Sequence, residues 1–356
     1  MECFYVMDNV LKIKEEYYFI SLYNNCIYEI LDDDLTVKKV AQIPFRFGQG
    51  YMEYSKLYYW NGKFFILPWF SDRIAIYNME GKSYSYIQLN DDCKGLRYLK
   101  AFQRNELLYL IPCENKDIVI INMEEEIVVD RISIVVSKEN EDKVISWCEV
   151  GYDINSIVIP QVYDKRLISF NYIEKKINYI ESNVEDTDGF CGICDTKEGR
   201  WFIPRQANKL YFKTTMGMKE YHNFPDGYKC GNISFYKIVP DDNRIFLLPR
   251  EANMLIVVYE DGTIINLMNI APQKNNAMEE YMFFSNVWSI GEHWFCIESN
   301  TGRVFEIADS NILIPRFFNE IESNIQKNKL DEEILYENPY REQTLEDFLL
   351  YIVRGN

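Results

Sequence analysis

Five short apolar runs in this 356-residue chain end on a proline at nearly even intervals. Phe64-Phe65-Ile66-Leu67 closes on Pro68, Leu107-Leu108-Tyr109-Leu110-Ile111 on Pro112 and Ser156-Ile157-Val158-Ile159 on Pro160. Arg200-Trp201-Phe202-Ile203 closes on Pro204, and Arg244-Ile245-Phe246-Leu247-Leu248 on Pro249. The prolines are 44, 48, 44 and 45 residues apart. An aliphatic residue follows six positions later in four units, as Ile74, Ile118, Leu210 and Leu255; the Pro160 unit is one residue longer and reaches Leu167. Two units match closely, Pro204-Arg205-Gln206-Ala207-Asn208-Lys209-Leu210 and Pro249-Arg250-Glu251-Ala252-Asn253-Met254-Leu255. Weaker copies flank the five, with Ser21 and then Ile27 at one end and Glu298 and then Val304 at the other. The total is seven units with a period of about 46 residues. A fixed period of this size is the signature of a repeat architecture.

Each unit has room for four short strands. In the second they are expected at Tyr54–Trp60, Phe64–Pro68, Ile74–Asn78 and Tyr84–Leu89, with turns at Asn61-Gly62-Lys63, Trp69–Arg73 and Glu80-Gly81-Lys82. Turn residues between β-branched and aromatic runs mark hairpins. Proline is tolerated at a strand end, where its missing N–H is not needed by the ladder. Four strands per unit and seven units resemble a β-propeller, and the resemblance covers about residues 2–316. It implies an all-β fold of seven four-stranded antiparallel blades. The Gly-His and Trp-Asp signature of WD repeats and the Gly-Gly doublet of kelch repeats are absent, so neither family lends this chain functional residues.

Aromatic residues make up 15% of the chain, which suits sheets packed face to face. The formal charge of −17 and the lack of a basic stripe argue against nucleic-acid and anionic-membrane partners. Nothing at Met1-Glu2-Cys3-Phe4-Tyr5-Val6 reads as a signal peptide, and no stretch approaches a membrane span. Nine scattered cysteines then read as reduced thiols of a cytoplasmic protein. The richness in Ile, Lys, Asn and Tyr is what AT-rich bacterial coding sequence yields.

On a propeller, the loops between blades share a face with the turns between second and third strands. Loops on a rigid scaffold converge there, so this is where a ligand site is expected. The candidate ligand-binding residues are Arg46, Trp69, Gln161, Tyr163, Arg205 and Arg250, with Phe70, Arg97 and Glu251 on the same face. Arg205 and Arg250 hold equivalent places in adjacent units. As neighbours near the central opening they would bind an anionic or polyhydroxyl group through their planar forks, with Trp69 or Tyr163 as a stacking surface. The competing reading pairs each arginine with an acidic neighbour such as Glu251.

Other motifs carry less. Cys191-Gly192-Ile193-Cys194 is the one CxxC; on a strand its two thiols should point to opposite faces. A zinc site would want a second pair, and none accompanies it. Asp32-Asp33-Asp34 reads as a solvated turn. The two histidines, His222 and His293, are not placed as a pair, His293 lying in a turn on the face opposite the arginines. No metal and no cofactor are expected, since there is no phosphate-cradling glycine loop.

Beyond residue 316 the strand pattern stops, and residues 317–356 read as a C-terminal helical extension. Thr344 and Asp347 resemble a capping box, and Leu345, Phe348, Leu349 and Ile352 form one apolar stripe. The expected function is a non-catalytic binding or scaffolding propeller recognising a protein partner or small ligand through one face. The alternative is a propeller enzyme acting on carbohydrate, with carboxylates near the central opening. A broad shallow face would favour the first, and a deep pocket with facing carboxyl groups beneath Arg205 and Arg250 the second.

Overall fold

The structure is a computed structural model that describes residues 7–22, 24–44, 53–69, 71–89, 98–113, 117–134, 145, 149–270, 284–299, 302–308 and 312–321. Arg46, Phe70, Arg97 and the expected helix near 344–352 lie outside the described residues.

Seven antiparallel sheets follow one another along the chain, each built from four consecutive strands. Blade 2 is representative, with strands Tyr54–Trp60, Lys63–Pro68, Arg73–Asn78 and Ser83–Gln88. Each lies within one residue of its expected position at either end. The innermost strands of blades 1 to 7 begin at Val10, Tyr54, Tyr98, Gly151, Phe190, Phe235 and Phe284. The chain is therefore a seven-bladed β-propeller.

Local chemistry explains the hairpins. Trp60 pairs with Lys63 across the two-residue loop Asn61-Gly62. Both loop residues have positive φ, 44° and 79°, the geometry that matches strand twist and that Asn-Gly tolerates best. Lys14, Asn105 and Gly291 take the same left-handed conformation in the corresponding loops of blades 1, 3 and 7.

Among the described residues the buried hydrophobic core forms seven clusters, one at each interface between adjacent blades. Aromatic rings fill these wedges, as the composition implied. Trp201 of blade 5 is fully buried and stacks on Phe212 with ring centroids 4.5 Å apart.

Blades 7 and 1 meet at the seam of the ring. Asn319–Ile321, past the last expected repeat, forms a short strand that pairs in parallel with Thr36, Val37 and Lys38 on the outer strand of blade 1. The propeller sheet thus extends into the segment read as the helical extension. Phe318, just before this strand, packs into the seam against Phe19 and Trp288. On the same seam His293 Nδ1 lies 2.7 Å from Glu306 Oε1, and Nε2 lies 3.7 Å from Asp33 of blade 1. Glu306 also accepts a hydrogen bond of 2.7 Å from Arg316 Nε.

The Glu306 hydrogen bond, aided by the charges of Glu306 and Asp33, raises the His293 pKa above its usual value. A raised histidine contributes stability that is full below its unfolded pKa and is lost as pH rises through the folded one. The melting temperature is therefore expected to fall over roughly pH 6 to 8. In His293→Gln that part of the slope should vanish. Equal slopes in the two proteins would show that the seam does not sense His293.

Candidate functional site

Three of the candidate residues converge where blade 4 meets blade 5. The Gln161 side chain is buried, and its amide donates to the Arg166 carbonyl at 2.9 Å. Two residues on, the Tyr163 ring lies 5.1 Å from the Arg205 guanidinium carbon. Arg205 is itself only 9% exposed. Its guanidinium forms a two-pronged ion pair with Asp188 and donates to Asn232 Oδ1 at 2.9 Å. The fork expected to face a ligand is thus engaged by the protein. Its acidic partner is Asp188, from the loop entering blade 5, and not Glu251. The Glu251 carboxylate instead accepts from the Asn232 backbone N–H at 2.7 Å.

Arg250 stands one blade further round. Its N–H donates to the Ser234 carbonyl, and the Ser234 N–H donates to the Arg205 carbonyl, each at 2.9 Å. The two arginines are therefore linked through one shared residue. Trp69 belongs to blade 2, outside this group, and its N–H donates to the Glu53 carbonyl at 2.7 Å. Beside Arg205 lies an open cleft of about 280 Å³ lined by Asp186, Thr187, Asp188, Gln206 and Asn208. Its lining is polar, with two carboxylates on the rim.

The CxxC expectation is corrected here. Cys191 and Cys194 face the same side, in the core between blades 5 and 6, while Phe190 and Ile193 face the other. The cause is a β-bulge: Phe190 pairs with Pro204 and Gly192 with Ile203, leaving Cys191 as the extra residue. A bulge sets two residues against one and so breaks the alternation of faces. Burial pushes the Cys191 thiol up to about 12, against the opposing effects of two backbone hydrogen bonds and the Arg250 charge. It pushes the Cys194 thiol well up too. Such thiols stay protonated, which disfavours nucleophilic or metal-binding roles. Among the described residues no group of three or more His, Cys, Asp or Glu is arranged to hold a metal. His222 is exposed beyond the last strand of blade 5, far from His293 in sequence.

The same bulge recurs in the innermost strands of blades 2, 3, 6 and 7, between Tyr54 and Lys56, Tyr98 and Lys100, Phe235 and Lys237, and Phe284 and Asn286. The residue after it turns away from the interfaces, toward the central channel. There Lys56 Nζ lies 3.0 Å from Asp8 Oδ2, and Lys237 Nζ lies 2.7 Å from Asp8 Oδ1. Lys100 pairs with Glu149. Asp8 enters from blade 1, so its two ion pairs join three blades. Burial alone would raise the Asp8 carboxyl, but the Lys237 and Lys56 charges outweigh it and hold the group below its usual range. Burial depresses Lys237, which Asp8 only partly offsets. At Lys100 the Glu149 charge wins over burial and raises the pKa.

The sequence reading missed this cluster. A usable signal was present, because Lys56, Lys100 and Lys237 each stand 12 residues before their repeat proline.

No protein-family model matches the chain, and no curated protein sequence matches it. Solved structures do. Virginiamycin B lyase from Staphylococcus aureus is 11% identical with a TM-score of 0.59, over 85% of this chain and 97% of that one. A streptogramin B lyase is 12% identical with a TM-score of 0.55, over 83% and 90%. PorZ, a surface component of the type-IX secretion system of Porphyromonas gingivalis, is 9% identical with a TM-score of 0.56, over 91% of this chain and 39% of that one. The likeness is one of fold. A propeller scaffold hosts unrelated functions, so chemistry has to be argued from the site.

Proposed function

We propose that this chain is a non-catalytic binding module that recognises a protein partner through the face carrying Arg205. The observation that carries this reading is the open cleft beside Arg205, of about 280 Å³ and lined by Asp186 and Asp188. An open cleft supports a partner segment laid across it more than a substrate enclosed between two carboxyl groups. The Arg205 fork is occupied by Asp188 and Asn232, so it acts as a brace holding the rim in place. The rim carboxylates are paired within the chain, Asp186 with Lys209 Nζ at 2.7 Å and Asp188 with Arg205, and both are exposed, so a partner segment bearing Lys or Arg would compete for them. The net charge of −17 would steer such a partner toward the face. The lyase neighbours are 11%, 12% and 14% identical to this chain and lend it their fold, not their chemistry. In keeping with the sequence expectations, we place the module in the cytoplasm with neither nucleic acid nor membrane as partner.

The test is partner capture with the wild-type chain and with the Asp186→Lys/Gln206→Ala variant. Both residues are exposed and outside the core. The partner should bind the wild-type chain in a salt-sensitive manner and be lost, by tenfold or more in affinity, from the variant. Equal capture by both would overturn the assignment of this face.

A further inference from the structure

At the cleft beside Arg205 one ammonium group of the chain is already seated. Lys209 Nζ lies 2.7 Å from Asp186 Oδ2, and 3.7 Å from Glu220 Oε2 on the outer strand of blade 5. The lysine side chain is 35% exposed, against 68% for Asp186 and 53% for Glu220, so water reaches all three. The Asp186 hydrogen bond and charge raise the Lys209 pKa, and the same contact holds the Asp186 carboxyl below its usual range. The fold does not require a lysine at this place. In the matching unit of blade 6 the position is held by Met254, which is buried in the core between blades 5 and 6.

An exposed ion pair is weak, because water competes for both charges and salt screens them. A second cation can therefore displace Lys209 from Asp186. Glu220 makes the displacement easier, since the freed ammonium keeps a carboxylate within reach. A lysine ammonium is a compact charge on a flexible four-carbon stem, which suits such an exchange. Arg205 is the contrast: its planar fork is buried and held by Asp188 and Asn232 together, so Asp188 is the harder of the two rim carboxylates to free. Beside Asp186 the cleft presents the side-chain amides of Gln206 and Asn208, each with donors and an acceptor for the main chain of an incoming segment.

We propose that Lys209 is a resident competitor in the cleft: a partner gains Asp186 only by presenting a lysine or arginine that drives Lys209 across to Glu220. The inference rests on the reading of this cleft as the partner-binding site. The experiment is calorimetric titration of the intact wild-type protein and three variants with a capped pentalysine peptide, at physiological ionic strength and at roughly three times that value. Lys209→Gln leaves Asp186 unoccupied and should bind the peptide about threefold more tightly than wild type, the scale of one exposed ion pair. The gain should shrink at the higher salt, because the variant forms a new ion pair where the wild type exchanges one for another. Lys213→Gln removes the same charge from the same blade, four residues along its third strand and so roughly 13 Å away. That is beyond the Debye length of about 8 Å at physiological salt, so this variant should match the wild type. Asp186→Lys/Gln206→Ala should bind the peptide most weakly. If Lys209→Gln binds no more tightly than Lys213→Gln while the double variant stays weak, the competitor role is overturned and the cleft assignment stands. Equal binding by wild type and the double variant would overturn both, placing the peptide elsewhere on this acidic chain.

Discussion

Gly189→Ala is expected to destabilise the protein by about 3 kcal/mol, the upper range for forcing an extra carbon into a packed interior. A Cβ built on Gly189 would lie 2.0 Å from the Val162 carbonyl oxygen, 2.5 Å from its carbon and 3.0 Å from the Gln161 oxygen. These are backbone atoms, so no side chain can swing aside. Val162 is fully buried, and its N–H donates to the Ile145 carbonyl at 3.0 Å. Relief therefore has to come from Gly189 itself. Moving it strains the 2.9 Å bond from the Arg205 N–H to the Gly189 carbonyl and the contacts of Asp188 with the Arg205 fork. The damage should appear twice, as a lower urea midpoint and as weakened partner binding. Gly81→Ala is the control: its nearest neighbour would be Ser83 Oγ at 3.4 Å, in an exposed turn. It should change stability by less than about 0.5 kcal/mol. A Gly189→Ala protein as stable as the Gly81→Ala control would show that blades 4 and 5 are not packed as described.

Asp8→Ala is expected to cost about 3–5 kcal/mol at neutral pH, the penalty for stripping a buried ion pair of one partner. The carboxylate stands between Lys56 and Lys237, so its loss leaves two ammonium groups facing each other in the channel. Replacing both lysines as well, in Asp8→Ala/Lys56→Met/Lys237→Met, should recover most of the loss, because apolar groups of similar size can replace a buried pair without penalty. The same linkage has a pH signature. Asp8 titrates below its ordinary value, so its contribution is full above the unfolded carboxyl pKa and disappears as pH falls through the folded one. Wild type should therefore lose stability in acid faster than the triple variant. An Asp8→Ala protein within about 1 kcal/mol of wild type would mean that water screens the cluster.

The blade count and the strand boundaries of blade 2 were legible because the repeat is carried by residues with a mechanical reason to be there. Pro68, Pro112, Pro204 and Pro249 each end a second strand, and Pro160 stands one residue before the end of its own. The Asn61-Gly62 turn could be read for the same reason. The bulges could not, because no residue type marks them. The extra residue is Ser55 in one blade, Cys191 in another and Tyr236 in a third. Missing them reversed the facing of Cys194 and hid the channel lysines, since both depend on the count of residues past the bulge. The equivalence of Arg205 and Arg250 was visible in the repeat. The partner of Arg205 was not, because Asp188 comes from a loop outside the repeated segment, 17 residues upstream. The strand at 319–321 went unseen because three residues carry no periodicity.

Because each blade takes its four strands from one continuous stretch, six of the seven interfaces join neighbours along the chain. The seventh is different. Tyr17 reaches Gly291 and Asn319 reaches Asp34 across 274 and 285 residues. Loop-closure entropy grows only slowly with length, but it is repaid only once the distant contacts form. Blades should therefore condense locally and add to their neighbours, leaving the ring to shut in a late step. Native-state hydrogen exchange would reveal this order from the other side. The amides beside Phe318 and His293 should open at lower free energy than those of blades 4 to 6, making the join the place where the circle first comes apart.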